Sequence, residues 1–162
     1  MESSDSVNDG MVLLEPVIVQ PIGVVHNRLD IRRYDRLRQT ESEIVVSEEY
    51  EEALSGLEGF SHVEVLFYLH EMDGPFVSMI HPTGDPELPL VGAFATRTPN
   101  RPSKIALTTC RLLGIYGNRL KVKGLDAYDG SPVLDIKPHF GPSHEEVTLP
   151  SWVADLTRRN RY

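Results

Sequence analysis

The stretch Gly92–Ile115, GAFATRTPNRPSKIALTTCRLLGI, decides how the rest of the chain is interpreted. It begins inside a short apolar run, Val91–Ala95, which is typical of a buried strand. Pro99 and Pro102 follow. Because each proline fixes φ and removes a backbone donor, this part can be neither helix nor central strand. A strand-like pattern returns at Ile105–Tyr116. The sequence therefore predicts two strands joined by a stiff, extended loop.

The loop carries two arginines, Arg97 and Arg101. On a rigid backbone between two strands, planar guanidinium groups suit the recognition of an anion or of a planar ring. The alternative is a solvated loop with ordinary surface arginines. The spacing of two arginines among two prolines favours a binding loop over that alternative.

Strand patterns recur on both sides of this loop. In Ser61–His70 one face is apolar and the other is mixed, which predicts a strand whose mixed face lines a pocket or a barrel interior. Gly117-Asn118 predicts a hairpin between Ile105–Tyr116 and Arg119–Leu125, with both turn residues at positive φ. Further strands are predicted at Pro16–Val25, Glu43–Val46 and Pro132–Ile136. At least six strands with little helix predict a mainly β protein, a small β-barrel with short helices and long loops.

The remaining segments divide the chain. Residues 1–15 are polar and predict a flexible tail, residues 16–145 form the barrel domain, and residues 146–162 form an extension with a short helix. A second helix is predicted from Ser47 through Ser55. Glu71–Pro89 contains four prolines and predicts a long loop, a feature that is usually functional or disordered.

Composition restricts the class of protein. The chain has 162 residues, 40% of them hydrophobic and 25% charged, as in one soluble globular domain. No apolar run is long enough to span a membrane and no signal peptide is recognisable, so we expect a cytoplasmic protein. A single cysteine, Cys110, excludes an internal disulfide. The histidines are not clustered at metal-ligand spacing, and no dinucleotide fingerprint or P-loop is present, so no metal site is expected.

The charge is unevenly distributed. The formal net charge is −8, yet residues 1–60 carry 13 of the 24 acidic groups and residues 97–123 carry seven basic groups and no acid. In Arg119–Leu125, basic residues alternate with apolar ones, which predicts a solvated basic face. A local basic surface on an acidic body is therefore expected, because salt screens each charge beyond roughly 8 Å.

Four motifs in order resemble those of one family. GAFATRTPNRPSKIALT is similar to the signature G-V-F-A-T-R-S-P-x-R-P-N-P-I-G-L-S of the TsaA/TrmO family, the YaeB-like and VirR-like proteins. The other three are PIGVVHN at Pro21–Asn27, LSGLEGFSHVEVLFYLH at Leu54–His70 and GLDAYDGSPVLDIKPHF at Gly124–Phe140. Ser103, Lys104 and Ala106 depart from the signature. The resemblance implies a dimerising β-barrel that methylates tRNA with S-adenosylmethionine, at N6 of a threonylcarbamoylated adenosine just 3′ of the anticodon.

The resemblance also implies roles for individual residues. Arg97 would hold the cofactor, Leu107 and Leu125 would enclose its adenine, and Asp126 with backbone groups of Gly124–Asp126 would bind its polar atoms. Further cofactor contacts are implied for Gln39, which follows an arginine in RLRQTE, and for His70 and Glu71 at the end of the long strand. Phosphates of tRNA would meet four basic residues: Arg101, Lys104, Lys121 and Lys123.

Two functions remain open from the sequence. Methyl transfer to a base nitrogen requires mainly alignment and exclusion of water, and no residue stands out as a general base, so the catalytic residues are unknown. The alternative is a non-catalytic module that binds S-adenosylmethionine or a protein, which the altered positions 103–106 keep possible. In either case we expect a homodimer with no metal and no membrane association.

Overall fold

A computed structural model describes residues 15–28, 39–141 and 148–158 of the chain. The tail predicted for residues 1–15 lies outside these ranges except for its last residue.

Six antiparallel strands close into a barrel, so the predicted fold class is confirmed. The barrel strands are β1 (Gly23–His26), β2 (Glu41–Val46), β3 (His62–Tyr68), β6 (Ile105–Tyr116), β7 (Arg119–Lys123) and β8 (Pro132–Pro138). Around the barrel their order is β1-β2-β7-β6-β3-β8. Two shorter strands, β4 (Met79–Ile80) and β5 (Val91–Gly92), pair with each other outside the barrel.

The core is formed by side chains that point into the barrel at every second strand position. On β3, Val63, Val65 and Phe67 have at most 1% of their surface exposed. Leu120 and Val122 of β7 are fully buried beside them. The apolar face predicted for Ser61–His70 is thus the barrel interior. The mixed face is the outer surface, so the prediction that the mixed face lines the barrel interior is wrong: the barrel is filled by the apolar side chains.

Two predicted strands are shorter than expected. Val91–Ala95 has strand structure only at Val91–Gly92, and a 3-10 turn at Ala93–Ala95 buries Ala93 and leaves Phe94 exposed. Pro16–Val25 pairs only from Gly23 onward, and Val17 and Ile18 are exposed. Both segments have β-forming side chains, but a strand pairing is recorded only from Gly23 in the first segment and only at Val91–Gly92 in the second.

The hairpin between β6 and β7 is confirmed, but its turn differs from the prediction. Gly117 has φ +59°, whereas Asn118 is not at positive φ. Instead the Asn118 side chain donates a hydrogen bond to the carbonyl of Val46 on β2 at 2.6 Å, and Val46 N–H donates to the Asn118 carbonyl at 2.9 Å. The asparagine therefore joins the turn to the next strand of the barrel.

Short helices cover the remaining surface. A 3-10 helix at Glu48–Leu54 replaces the predicted helix, and the Ser47 side chain makes no capping hydrogen bond there. The predicted C-terminal helix is α1 (Ser151–Arg158), which buries Leu156. Glu71–Pro89 is largely irregular, as predicted, apart from β4 and a turn at Pro82–Gly84.

Candidate functional site

The antiparallel topology brings the predicted site segments to one end of the barrel. The strands β1, β3 and β7 finish at this end, and β2, β6 and β8 begin there. The residues that follow or precede these strands therefore meet, although they are far apart in sequence. They are Asn27, Gln39, Leu69–Glu71, Lys104, Gly124–Asp126 and Ser131.

Asn27 holds this end of the barrel together, a role that the sequence did not reveal. Its side-chain nitrogen donates to the carbonyl of Ala127 at 2.8 Å and to the hydroxyl of Ser42 at 3.2 Å. Its backbone N–H donates to a carboxylate oxygen of Asp129 at 2.9 Å. One residue thus links β1 to β2 and to the segment after β7. The only signal in the sequence is its position at the end of PIGVVHN.

A groove of about 640 Å³ lies beside the Arg97–Arg101 loop. Its apolar lining comes from the start of β6, from the loop and from α1: Leu69, Phe94, Ile105, Leu107, Trp152 and Leu156. Arg97 and Arg101 supply its positive charge. An Arg97 nitrogen lies 3.4 Å from the carbonyl oxygen of Leu107, so two predicted cofactor contacts are direct neighbours.

The loop itself is held in a fixed conformation. Arg101 donates from its guanidinium to the Thr96 carbonyl at 3.0 Å, and Lys104 N–H donates to the Arg101 carbonyl at 3.2 Å. Lys104 has φ +51°, a left-handed conformation that is uncommon for a residue with a side chain. Leu69 N–H donates to the Lys104 carbonyl at 2.9 Å and fixes this residue to the end of β3. Backbone strain of this kind is found preferentially at ligand sites.

A smaller cavity of about 110 Å³ adjoins the groove and shares Leu69 and Pro99 with it. Asp126 and Ser131 line this cavity. The Ser131 hydroxyl lies 3.3 Å from Nδ1 of His70, and Nε2 of His70 lies 3.4 Å from a carboxylate oxygen of Glu71. His70, Glu71 and Asp126 are therefore brought to one region through Ser131, which the sequence did not single out.

The remaining predicted cofactor residues lie at the same end of the barrel. Gly124 N–H donates to the Thr40 carbonyl at 2.9 Å, which places Gln39, an exposed residue, next to the start of this segment. Leu125 is fully buried in the barrel core. Its side chain faces away from solvent, and only its backbone can reach a ligand.

The solvated basic face predicted on β7 is confirmed, because the exposed Arg119 and Lys121 alternate with the buried Leu120 and Val122. Acids of the neighbouring strand lie against this face, so the surface around it is mixed in charge. A Lys121 nitrogen lies 2.7 Å from a carboxylate oxygen of Glu41, and Arg119 lies 2.7 Å from Glu43. These acids belong to β2, which pairs with β7. The two strands lie more than seventy residues apart in the sequence. The acid-free stretch 97–123 therefore gave no sign that acids of β2 would neutralise basic residues of β7.

The four predicted phosphate contacts fall into two places. Arg101 and Lys104 lie on the loop, whereas Lys123 is opposite Arg111 in the sheet. Seven residues of strand separate Arg111 from Lys104, about 23 Å at ~3.3 Å per residue. Among the residues that the structure describes, no ion pair involves Arg97, Arg101 or Lys104. The loop cations therefore keep their charge for an anionic ligand, as does Lys123, whereas Lys121 is paired with Glu41.

Cys110 is buried on β6, and burial raises the pKa of its thiol to about 12, so it remains an unreactive thiol at neutral pH.

Within residues 15–28, 39–141 and 148–158, no cluster of three metal-ligating side chains is found. No helix in these ranges has the length and hydrophobicity to span a membrane.

Comparison with known proteins gives a consistent result. Residues 22–143 match the family model described as the tRNA-methyltransferase O N-terminal domain. A probable S-adenosyl-L-methionine-binding protein of Methanothermobacter thermautotrophicus is 41% identical over 126 residues, which are 75% of this chain and 89% of that protein. The tRNA (adenine(37)-N6)-methyltransferase of Homo sapiens is 36% identical over 112 residues, or 68% of this chain.

A solved structure has the same fold. The crystal structure of TrmO from Pseudomonas aeruginosa superimposes with a TM-score of 0.61 at 32% identity and covers 77% of this chain. This chain spans 56% of the Pseudomonas chain and 25% of the human protein.

The Glu41–Lys121 ion pair leads to a testable pH dependence. A hydrogen bond from Lys121 lowers the pKa of Glu41 below its ordinary value of 4.5, and the same bond raises the pKa of Lys121 above 10.5. The pair therefore stabilises the fold at neutral pH. Its contribution is lost as pH falls through the lowered pKa of Glu41 or rises through the raised pKa of Lys121.

We expect the pKa of Glu41, measured by NMR titration, to return towards 4.5 in Lys121→Ala. The stability difference between this variant and wild type should disappear in strong acid and shrink in high salt, because both groups are exposed. Glu41→Gln in the Lys121→Ala background is the control and should add no further loss. An unchanged Glu41 pKa in Lys121→Ala would contradict the ion pair.

Proposed function

The chain belongs to the tRNA-methyltransferase O N-terminal domain family, and we propose that it transfers a methyl group from S-adenosylmethionine to N6 of an adenosine in tRNA. The target in this proposal is the threonylcarbamoylated adenosine beside the anticodon. The observation that carries the proposal is the groove beside the Arg97–Arg101 loop, where the family signature meets Leu69 at the end of β3 and adjoins the cavity lined by Asp126 and Ser131.

The residues around this groove fit S-adenosylmethionine. Its volume of about 640 Å³ is within the range of small-molecule sites, roughly 300–1,000 Å³. Leu107 and Ile105 offer an apolar surface to the adenine, and Arg97 offers a guanidinium to the carboxylate. In the adjoining cavity, Asp126 can accept hydrogen bonds from an amine or a hydroxyl group.

The protein's contribution to the reaction is alignment. S-adenosylmethionine supplies a methyl group that is already activated by its sulfonium. Arg97 and Asp126 would fix the two polar ends of the cofactor. His70, Glu71, Gln39 and the backbone of Gly124 and Leu125 would complete its contacts. The apolar lining would exclude water from the reacting atoms, and this favours transfer to the base nitrogen.

The RNA would approach the cationic side of the loop. Arg101 and Lys104 are proposed to contact phosphates, since Arg101 lines the groove, Lys104 belongs to the same loop, and neither has an acidic partner among the described residues. Lys121 and Lys123 are proposed as outer contacts. For Lys121 this requires competition with Glu41, so it would contribute less.

A non-catalytic binding module is the second candidate. The Methanothermobacter relative supports it, because the name of that protein states only that it binds S-adenosyl-L-methionine. The match covers 89% of that protein. Formation of a methylated nucleoside distinguishes the enzyme from the binding module. Incubation with labelled S-adenosylmethionine and total tRNA, followed by nucleoside mass analysis, yields an N6-methylated adenosine only for the enzyme.

We also propose a two-fold homodimer, located in the cytoplasm, with the cofactor sites near the interface. Apolar residues on the outer face of paired strands support this assembly: Leu66 lies opposite Leu107, and Leu113 is also exposed. Light scattering at micromolar concentration should give the mass of two chains. A monomer with full activity would contradict the dimer.

The cofactor site predicts a loss of affinity in Arg97→Ala. Removing a hydrogen bond to a charged group should weaken S-adenosylmethionine binding by about 1.5–3 kcal/mol, as measured by calorimetry. Arg111→Ala removes an exposed arginine from the same strand-loop unit at a distance from the groove and should leave binding unchanged. Equal affinity of wild type and Arg97→Ala would remove Arg97 from the site.

The phosphate contacts predict a salt dependence of RNA affinity. Four contacts give a log–log slope on the order of −3, because each neutralised single-strand phosphate contributes about 0.7. Lys104→Ala should reduce the magnitude of this slope by somewhat under one unit. Lys121→Ala should reduce it less, since Glu41 already neutralises that charge.

The same variants separate the RNA site from the cofactor site. Lys104→Ala should keep the wild-type affinity for S-adenosylmethionine. Salt-independent RNA binding, or a Lys104→Ala protein that loses the cofactor and keeps RNA, would show that the roles are assigned to the wrong residues.

A further inference from the structure

Phe94 is an exposed aromatic residue on a rigid support at the edge of the groove. It has 71% of its surface exposed, whereas its neighbour Ala93 is buried. The Phe76 ring is nearly parallel to it, with ring centroids 6.1 Å apart and planes at 24°. The guanidinium carbon of Arg101 lies 5.5 Å from the centroid of Phe94. Two aromatic rings and one guanidinium therefore form a small π-surface, here called the Phe94 platform.

The platform is held in position by backbone hydrogen bonds. Ala93 N–H donates to the Ser78 carbonyl at 2.9 Å, and Thr96 donates to the Ala93 carbonyl from its backbone at 3.1 Å and from its hydroxyl at 2.8 Å. The pairing of β4 with β5 fixes the strand before it. Phe94 thus buries little of its surface in the fold, although the backbone around it is held in place. Exposure of a large apolar side chain to water is unfavourable in free energy.

The charges around the platform favour one class of occupant. Arg101 contacts Phe94 directly, and Arg97 and Lys104 lie on the same loop, without an acidic partner among the described residues. A second copy of the chain placed here by a two-fold axis would bring like charges together. A single-stranded nucleic acid instead offers both a planar base for the rings and phosphates for the cations.

We propose that the Phe94 platform stacks an unpaired nucleobase of the RNA substrate. This proposal rests on the function proposed above and adds to it a base contact at the edge of the same groove, made by a residue to which no cofactor contact is assigned. The site contacts only the π-face of a base, so it accepts different bases. It selects for an unpaired nucleotide in an RNA loop, whose π-face is accessible.

The test uses the full-length protein and a fluorescein-labelled RNA hairpin with a seven-nucleotide loop. Phe94→Ala should weaken binding by roughly 5- to 150-fold, the range for the loss of one stacked base. Phe94→Leu should weaken it similarly, because leucine is apolar but has no π-face. The salt slope should be unchanged in both, since no phosphate contact is lost.

A matched control and a direct signal complete the experiment. Phe140 is 84% exposed and lies beyond β8 at the other end of the barrel, so Phe140→Ala should bind as wild type. Phe94→Trp should retain binding, and its fluorescence should be quenched by the hairpin more than that of wild type, whose single tryptophan is Trp152. The thermal midpoints of the Phe94 variants should match wild type because the residue is exposed.

Three results would overturn the stacking proposal. Equal RNA affinity in Phe94→Ala and Phe140→Ala is the first. Wild-type affinity in Phe94→Leu is the second, since it would indicate apolar contact alone. The third is a Phe94→Ala protein that has lost only its dimeric mass in light scattering, which would make the platform a contact between copies.

The stacking proposal and the proposed enzyme can fail separately. Phe94-dependent hairpin binding without methylation of any tRNA would support the platform and contradict the enzyme. Methylation together with unchanged hairpin affinity in Phe94→Ala would support the enzyme and contradict the platform.

Discussion

The seam between β1 and β8 is the constraint on which the rest of the structure depends. Only two residue pairs, Gly23 with Val133 and Val24 with Pro132, join these strands directly. Two hydrogen bonds, from Ile22 to Val133 and from Val25 to Ser131, extend the contact. On the other side of β1, a side chain at Gly23 would collide with the backbone of Val45 on β2, so the approach of β1 to β2 requires glycine. Closure removes the exposed sheet edges and places six strand ends around one opening.

The closed barrel also explains how an acidic protein can offer a site for a polyanion. The register between β2 and β7 pairs Glu41 and Glu43 with Lys121 and Arg119, and these charges cancel locally. The loop cations have no such neighbours in the described part of the chain. Because salt screens charges beyond roughly 8 Å, the local balance at the loop matters more to a bound phosphate than the net charge of −8.

One side of the groove is formed by the barrel and the other side by the helix α1. Ile105 and Leu107 belong to the part of β6 that pairs with β3, whereas Trp152 and Leu156 belong to a helix of eight residues. The strand wall is therefore the firmer of the two, since sheet hydrogen bonds restrain it. Ligand contacts that require fixed geometry are best served by β6 and the loop before it.

The sequence by itself determined the elements with strong local signals. Alternation in Ser61–His70 and Ile105–Tyr116 predicted the central strands, and two prolines predicted the stiff loop around Arg97. Only the tertiary structure decided which residues became neighbours. Lys121 pairs with Glu41, Asn27 binds Ala127, and Ser131 lies beside His70, and the two residues of each pair are more than sixty positions apart in the sequence. Asn27 also binds Ser42, which is closer in the sequence but lies on another strand. Local patterns record the face and the period of a strand, but barrel closure and strand register set the contacts between strands, and no local signal carries them.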